Sequence, residues 1–107
     1  MHAVFISYTS SVSREDLQAP YTQYAQALAG GRIPGFLSKT WLANGDTHGG
    51  FHLFRDREAA DQYLAEMFDP TVGQNPVFSN IRIEHFEVSD ELSGLTHRLA
   101  EMESPAV

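Results

Sequence analysis

A lysine and two histidines have the side chains and the positions for acid–base chemistry in this sequence. Lys39 alternates with Leu37 and Trp41 on one face of a predicted strand, which is an unusual place for a solvated ammonium. In an apolar pocket that ammonium would stabilise a phenolate or an enolate by its charge. The alternative is a lysine whose stem covers apolar surface while its head pairs with a carboxylate.

His52 and His85 lie in the middle of two later predicted strands. An imidazole that faces a pocket can act as a general base near neutral pH. The alternative is a hydrogen-bonded histidine at a sheet edge or a dimer interface. We take Lys39, His52 and His85 as the candidate catalytic residues.

Aromatic and apolar side chains on neighbouring predicted elements are the candidates for binding a substrate. Tyrosines at helical spacing are often core residues with one end in water, and such hydroxyls could also line a pocket. Tyr21 and Tyr24 belong to this group. The predicted pocket residues are Tyr8, Trp41, Tyr63, Met67 and Phe68.

Neither a metal site nor a phosphate loop is predicted. His48 and His52 on a strand would lie about 13 Å apart, too far to share an ion. The sequence has no cysteine, which excludes disulfides, thiolate catalysis and zinc–thiolate sites. The pairs Gly30-Gly31 and Gly49-Gly50 lack the strand–loop–helix context of a phosphate loop.

Length and charge limit the class of protein. The 107 residues predict a single domain, 1–107, with residues 100–107 as a flexible tail. A net charge of -7 argues against nucleic acid and anionic lipid as partners. No apolar run reaches the length of a membrane span, no signal peptide is visible, and cysteine is absent. We therefore expect a cytoplasmic protein.

The first half of the chain predicts a strand, a helix and a hairpin. Residues 2–8 are β-branched and aromatic, as in a strand. Ser13 resembles a helix cap, but Pro20 would break a helix interior, so the regular helix is expected to begin near it and to end at Gly30-Gly31. Asn44-Gly45 predicts a tight turn between strands at 36–43 and 49–55.

The second half predicts a helix, a strand and a short terminal helix. Asp56 is a good cap for the second helix, which should end at Asp69-Pro70 and be followed by a loop over residues 71–76. Residues 81–88 predict the last strand, with Ile81, Ile83 and His85 on one face. Ser89 would cap a helix that runs to about Leu99.

This order is β-α-β-β-α-β with a trailing helix, which is typical of an α+β, ferredoxin-like fold with a four-stranded antiparallel sheet. In the expected sheet, the fourth strand of the chain pairs with the first, the first with the third, and the third with the second. His52 and His85 then lie on strands that are not adjacent. Two helices cover only one sheet face, yet both strand faces carry apolar residues. A second copy of the same sheet is the simplest cover, so a homodimer is expected.

Three segments of the sequence are similar to those of a known family: residues 34–41 (PGFLSKTW), 49–54 (GGFHLF) and 86–88 (FEV), the last followed by Ser93 and Thr96. In these segments the chain resembles the YdhR-type monooxygenase family. This resemblance implies a dimeric α/β barrel in which each subunit holds a pocket between its sheet and its helices. Members of that superfamily include cofactor-free monooxygenases, isomerases, cyclases and haem-degrading enzymes, so the fold alone does not select a reaction.

The resemblance implies a cofactor-independent monooxygenase that acts on a small aromatic, hydroquinone or polyketide-like molecule. Lys39 would stabilise the substrate anion, His52 or His85 would assist deprotonation, and Trp41 would stack on the ring. No cofactor is expected. The alternatives are a cofactor-free isomerase or cyclase in the same pocket, and a non-catalytic dimer that binds a small ligand or haem.

Overall fold

Residues 1–97 are the part of the chain that the computed structural model describes. Its elements are β1 (His2–Ser10), α1 (Arg14–Ala29), β2 (Phe36–Asn44), β3 (Thr47–Phe54), α2 (Arg57–Tyr63), β4 (Phe78–Glu87) and α3 (Asp90–Thr96). The predicted β-α-β-β-α-β order with a trailing helix is confirmed. The expected helix end near Leu99 and the tail at 100–107 lie outside the described residues.

The four strands form one antiparallel sheet in the order β2-β3-β1-β4. This is the predicted strand order, and the fold is α+β and ferredoxin-like. Val4 in the central strand β1 stands opposite His52 on one side and His85 on the other. The two histidines are therefore separated by a strand, as expected.

The two faces of the sheet have different environments. On one face, Val4, Ile6 and Tyr8 of β1 pack with buried residues of the helices. The register places Leu42, Phe51 and Phe86 on the opposite face, where they are 42%, 39% and 48% exposed. Within the described residues, α1 and α2 pack on this first face, and the opposite face presents apolar side chains to solvent.

Helix α1 begins at Arg14, so the expected start near Pro20 is wrong. The hydroxyl of Ser13 accepts a hydrogen bond from the backbone N–H of Asp16, which caps the helix as the sequence suggested. Pro20 lies inside the helix, where it removes one backbone hydrogen bond. The cap and the burial of Leu17 and Leu28 along the helix offset that loss.

The predicted hairpin between β2 and β3 is present, but its turn is one residue later than expected. Asn44 pairs with Thr47, so Gly45 and Asp46 form the turn, and Gly45 has a positive φ of 63°. In β3, Gly49 marks a close backbone approach, because a Cβ there would collide with the carbonyl oxygen of Ile6.

The helical chain after Asp56 continues past the predicted stop at Asp69-Pro70, so that prediction is wrong. Asp56 caps α2, and the backbone then runs on as a π-helical segment, Leu64–Gly73, with Pro70 inside it. Pro70 has no N–H to donate, so it removes one backbone hydrogen bond from this segment. The hydroxyl of Thr71 also donates to the carbonyl of Met67 at 2.6 Å. The connection to β4 is correspondingly shorter than the predicted loop.

One local irregularity changes which side chains of β2 share a face. A register shift between Phe36 and Ser38 interrupts the β2–β3 pairing, so Leu37 does not continue the alternation of Lys39 and Trp41. Phe36, opposite Phe54, takes the core position instead.

Candidate active site

A cavity of about 330 Å³ lies between the helix-covered sheet face, α1 and the π-helical segment. Its volume is in the range of small-molecule sites. Much of its lining is aromatic: Tyr8, Tyr21, Tyr24, Trp41, Tyr63 and Phe68. Lys39 and His52 also line it. All four tyrosines that the sequence marked as possible pocket residues reach this space.

The ammonium of Lys39 lies among aromatic rings. Its Nζ is 3.4 Å from the ring centroid of Trp41 and 5.0 Å from that of Tyr24. The ion pairs within residues 1–97 are Met1 with Asp90 and Arg57 with Asp61, so no described carboxylate lies within 4.0 Å of this lysine. In the described part of the chain, the ammonium of Lys39 is therefore not paired with a carboxylate.

Burial lowers the pKa of Lys39 to about 7. Removal from water disfavours the charged amine, whereas the faces of Trp41 and Tyr24 attract it. With a pKa of about 7, the amine is near half-protonation at neutral pH. A group in that state can both take up and release a proton.

Glycine at position 50 makes room for both polar groups of the cavity. A Cβ there would lie 2.7 Å from Cε of Lys39 and 2.9 Å from Cε1 of His52. Both distances are shorter than a carbon–carbon contact permits. Lys39 and His52 face each other across the β2–β3 pair, so any side chain at Gly50 would displace one of them.

One hydrogen-bonded chain leads from the cavity lining into the sheet. The hydroxyl of Tyr24 donates to that of Tyr63 at 2.7 Å, and the Tyr63 hydroxyl lies 3.3 Å from Nε2 of His52. Nδ1 of His52 lies 3.1 Å from the carbonyl oxygen of Val4, which only accepts. The neutral imidazole therefore carries its proton on Nδ1, and Tyr63 donates to Nε2. We call this series the closed chain.

The closed chain makes His52 a poor base. Burial, followed by the nearby charge of Lys39, lowers the pKa of His52 to about 4. The side chain is 1% exposed, and both ring nitrogens have partners within the protein. His52 is thus neutral at pH 7 and orients Tyr63, which is itself 0% exposed.

A second hydrogen-bonded chain begins at the same cavity and runs toward the hairpin end of the sheet. The hydroxyls of Tyr8 and Tyr21 are 2.7 Å apart, and the Tyr21 hydroxyl lies 3.2 Å from Nδ1 of His48. Nε2 of His48 is buried and has no partner among the described residues. Burial and the charge of Arg14 lower the pKa of His48. We call this series the open chain.

The structure brings most of the predicted site residues together, but it leaves two outside. Lys39, His52, Trp41, Tyr63, Phe68 and Tyr8 line the cavity, whereas His85 and Met67 do not. His85 faces His2, with Nδ1 2.8 Å from Nε2 of that residue. Met67 is 6% exposed and belongs to the core cluster.

Two signals in the sequence point to the site more directly than the alternation of residues. Lys39 is the only lysine of the chain, and it lies inside the fold, whereas lysines usually lie at the surface. Gly50 lies two residues before His52, and its lack of a side chain leaves room for Lys39 and His52 to face each other. His48 was considered only as a metal ligand, and nothing in its spacing indicated its bond to Tyr21.

The described residues offer neither a metal cage nor a membrane span. Within 1–97, no three His, Asp or Glu side chains come together as ligands would. No helix of that same part of the chain has the length and apolar character needed to cross a bilayer.

The fold and the cavity agree with a family relationship. Residues 4–99 match the family described as "Putative mono-oxygenase ydhR". The chain belongs to this family, which confirms the resemblance noted from the sequence. No protein with a curated description matches the chain.

Solved structures of similar fold share little sequence with this chain. SnoaB from Streptomyces nogalater, a cofactor-independent oxygenase solved as a point mutant, is 19% identical with a TM-score of 0.63, over 82% of this chain and 93% of that one. MupZ from Pseudomonas fluorescens is 19% identical with a TM-score of 0.63, over 95% and 84%. A point mutant of MhuD, solved with two manganese protoporphyrin IX per active site, is 18% identical with a TM-score of 0.56, over 81% and 94%. At these identities the likeness concerns the fold.

Proposed function

We propose that this protein is a cofactor-independent monooxygenase that oxidises a small hydroxylated aromatic or polyketide-like ring. The observation that carries the proposal is the position of Lys39, an amine without a described carboxylate partner, in a cavity lined by aromatic rings. The family and the similarity in fold to a cofactor-independent oxygenase support the same class of reaction.

Lys39 acts first as a base and then as a countercharge. The neutral amine takes the proton of a ring hydroxyl, and the ammonium that forms pairs with the resulting anion. We assign the role of base to Lys39 for two reasons. Both nitrogens of His52 are hydrogen-bonded, to Tyr63 and to Val4, and His85 lies outside the cavity lining. Trp41 supplies a flat surface for the ring.

The electron-rich anion then reduces oxygen directly. One oxygen atom is bonded to a ring carbon, which gives a quinone-type product, and two hydrogens of the substrate leave with the second oxygen atom as water. All four electrons come from the substrate ring, so the balance requires no flavin or metal. The protein contributes orientation, a dry cavity and the charge of Lys39.

Oxygen uptake tests this function. Purified protein is incubated with a panel of hydroquinones and polycyclic phenols in an oxygen electrode, beside the variants Lys39→Met and Arg32→Met. Arg32 is an exposed cation that does not line the cavity, so it controls for loss of positive charge. We expect uptake above buffer with the wild type and Arg32→Met, and buffer rates with Lys39→Met.

The pH profile gives a second measurement of the same step. Because the neutral form of Lys39 is the base, kcat/KM should rise as the pH is raised through about 7. Equal rates for wild type and Lys39→Met would refute the role of the lysine. Turnover that persists without oxygen would favour an isomerase or cyclase. Tight binding of ligand or haem without turnover would favour a binding protein.

We also propose that two copies of the chain pair through the open sheet face. Leu42, Phe51 and Phe86 are exposed there, and Leu92 and Leu95 of α3 are 66% and 76% exposed. Burial of such a surface against its own copy removes apolar area from water. Light scattering should give twice the chain mass for the wild type and the chain mass for Phe51→Glu.

The absence of cysteine supports a cytoplasmic location.

A further inference from the structure

We propose that Lys39 is also a carbonyl-reactive amine, and that the cavity forms an imine between its Nζ and an apolar aldehyde or ketone. This covalent chemistry goes beyond oxidation of a hydroxylated ring. It assigns a second class of ligand, carbonyl compounds, to the same cavity.

Geometry favours Lys39 as a nucleophile. Lys39 lines a cavity of about 330 Å³, which can hold a ring-sized molecule. No described carboxylate lies within 4.0 Å to hold the amine as an ion pair. A lysine that is desolvated in an apolar pocket is the form of lysine that attacks carbonyl carbon. The lowered pKa that burial gives Lys39 is consistent with this geometry.

The neighbours of Lys39 suit an apolar carbonyl compound. Trp41 and Tyr24 present ring faces beside the amine, and the absence of a side chain at Gly50 gives Cε of Lys39 its room. Among residues 1–97, Asp16 is the one carboxylate in the cavity lining, and it is exposed. An aromatic or alicyclic aldehyde fits this setting better than a charged keto acid, whose carboxylate would lose its hydration there.

The reaction needs no other reagent. The lone pair of Nζ forms a bond to the carbonyl carbon, and the carbon–oxygen bond then breaks. The oxygen leaves as water with the two hydrogens of the amine, and a carbon–nitrogen double bond remains. No atom is oxidised or reduced, and the imine is reversible in water.

The composition of the chain makes the test specific. Lys39 is the only lysine, so the α-amine of Met1 is the other amine that can form such an adduct. That amine pairs with Asp90 at 3.1 Å, so it is an internal reference for an amine held in an ion pair. An adduct on either residue can be located by peptide mapping.

The experiment traps the imine. Full-length protein is incubated with benzaldehyde at pH 7 to 9, reduced with cyanoborohydride and measured by intact mass and peptide mapping. We expect a gain of one aldehyde mass less one oxygen atom on Lys39, at least about tenfold faster than for the same protein in denaturant, where the amine regains its ordinary pKa. Lys39→Met should keep only the adduct at Met1, and Arg32→Met should react as the wild type does.

Two results would overturn the proposal. The first is an adduct at Met1 with none at Lys39. The second is a rate at Lys39 that is the same in folded and denatured protein. Neither depends on oxygen uptake, so imine formation without oxygenation, or oxygenation without imine formation, separates this proposal from the monooxygenase function.

Discussion

The closed and open chains have the same chemical composition, two tyrosines and a histidine, but they end differently. In the closed chain, Nδ1 of His52 meets the carbonyl oxygen of Val4. In the open chain, Nε2 of His48 meets no described partner. Both chains begin at tyrosines that line the same cavity.

The terminal group determines how many proton arrangements each chain allows. A carbonyl only accepts, so the closed chain has one neutral arrangement, in which every hydroxyl points toward His52. The open chain has two neutral arrangements, because either nitrogen of His48 can carry the proton. The closed chain is therefore suited to holding groups in place, and the open chain is suited to changing its protonation.

The largest expected effect concerns acid stability and the closed chain. The pKa of His52 is about 4 in the folded protein, against an ordinary value of 6.5. Between these values the unfolded chain binds the extra proton, so the stability that His52 contributes is complete above pH 6.5 and is lost as the pH falls to 4. That loss is about 3 kcal/mol.

Urea unfolding at several pH values measures this loss. His52→Gln should remove that part of the pH dependence, whereas His48→Gln in the open chain should remove a smaller part. Equal slopes for the wild type and His52→Gln would show that His52 is not held neutral by the fold.

The next effect comes from the charge beside the closed chain. Because the folded pKa of Lys39 is about 7 and the ordinary value is 10.5, the unfolded chain binds more protons between these values, and stability should increase with pH there. The expected gain from pH 7 to 9 is about 2 kcal/mol. Lys39→Met should lack this gain, because it carries the same tyrosines but no amine. If the free energy of unfolding did not change between pH 7 and 9 in either protein, burial of the Lys39 charge would be contradicted.

Removal of one hydroxyl from each chain compares them directly. Tyr63→Phe deprives the fully buried His52 and the hydroxyl of Tyr24 of their partner, and should cost about 2 kcal/mol of stability. Tyr21→Phe, in the partly exposed open chain, should cost about 0.5 kcal/mol, because water can replace the lost partner. Thermal and urea unfolding of the two variants measure both values. A larger loss for Tyr21→Phe would reverse the assignment of closed and open.

The smallest effect is expected at the end of the open chain. His48→Leu loses the bond to Tyr21 but also removes a buried nitrogen without a described partner, so the net change should lie within about 0.5 kcal/mol. Unfolding free energy at pH 8 measures it. A loss above about 2 kcal/mol would mean that this nitrogen has a partner in solution.

Sequence patterns predicted the fold well, because local signals for each element agreed with one another. Alternating apolar residues indicated the strands, and Ser13 and Asp56 were correctly predicted as helix caps. The errors in the bounds of the helices fell at two prolines, Pro20 and Pro70. A proline costs a helix one hydrogen bond, and whether packing offsets that cost depends on residues distant in the chain.

The candidate site was predictable in part. The types of residue indicated Lys39 and the tyrosines, because an isolated amine among apolar residues is uncommon. His85 was chosen for the same reason as His52, its position in the middle of a predicted strand, yet only His52 lines the cavity. Both face the helices, but His52 pairs with Lys39 across β2 and β3, while His85 lies on the edge strand beside His2. Strand alternation gives the face of a residue and not its neighbours on adjacent strands.

The amino-acid sequence by itself determined the order of the elements, the two apolar sheet faces and the presence of a single lysine among apolar neighbours. These properties depend on local period and composition. Only the tertiary structure decided that Lys39, Trp41 and Tyr24 meet in one cavity, and that His52 has no free nitrogen. Contacts between strands and helices set burial and hydrogen-bond partners, and these determine the pKa of each group.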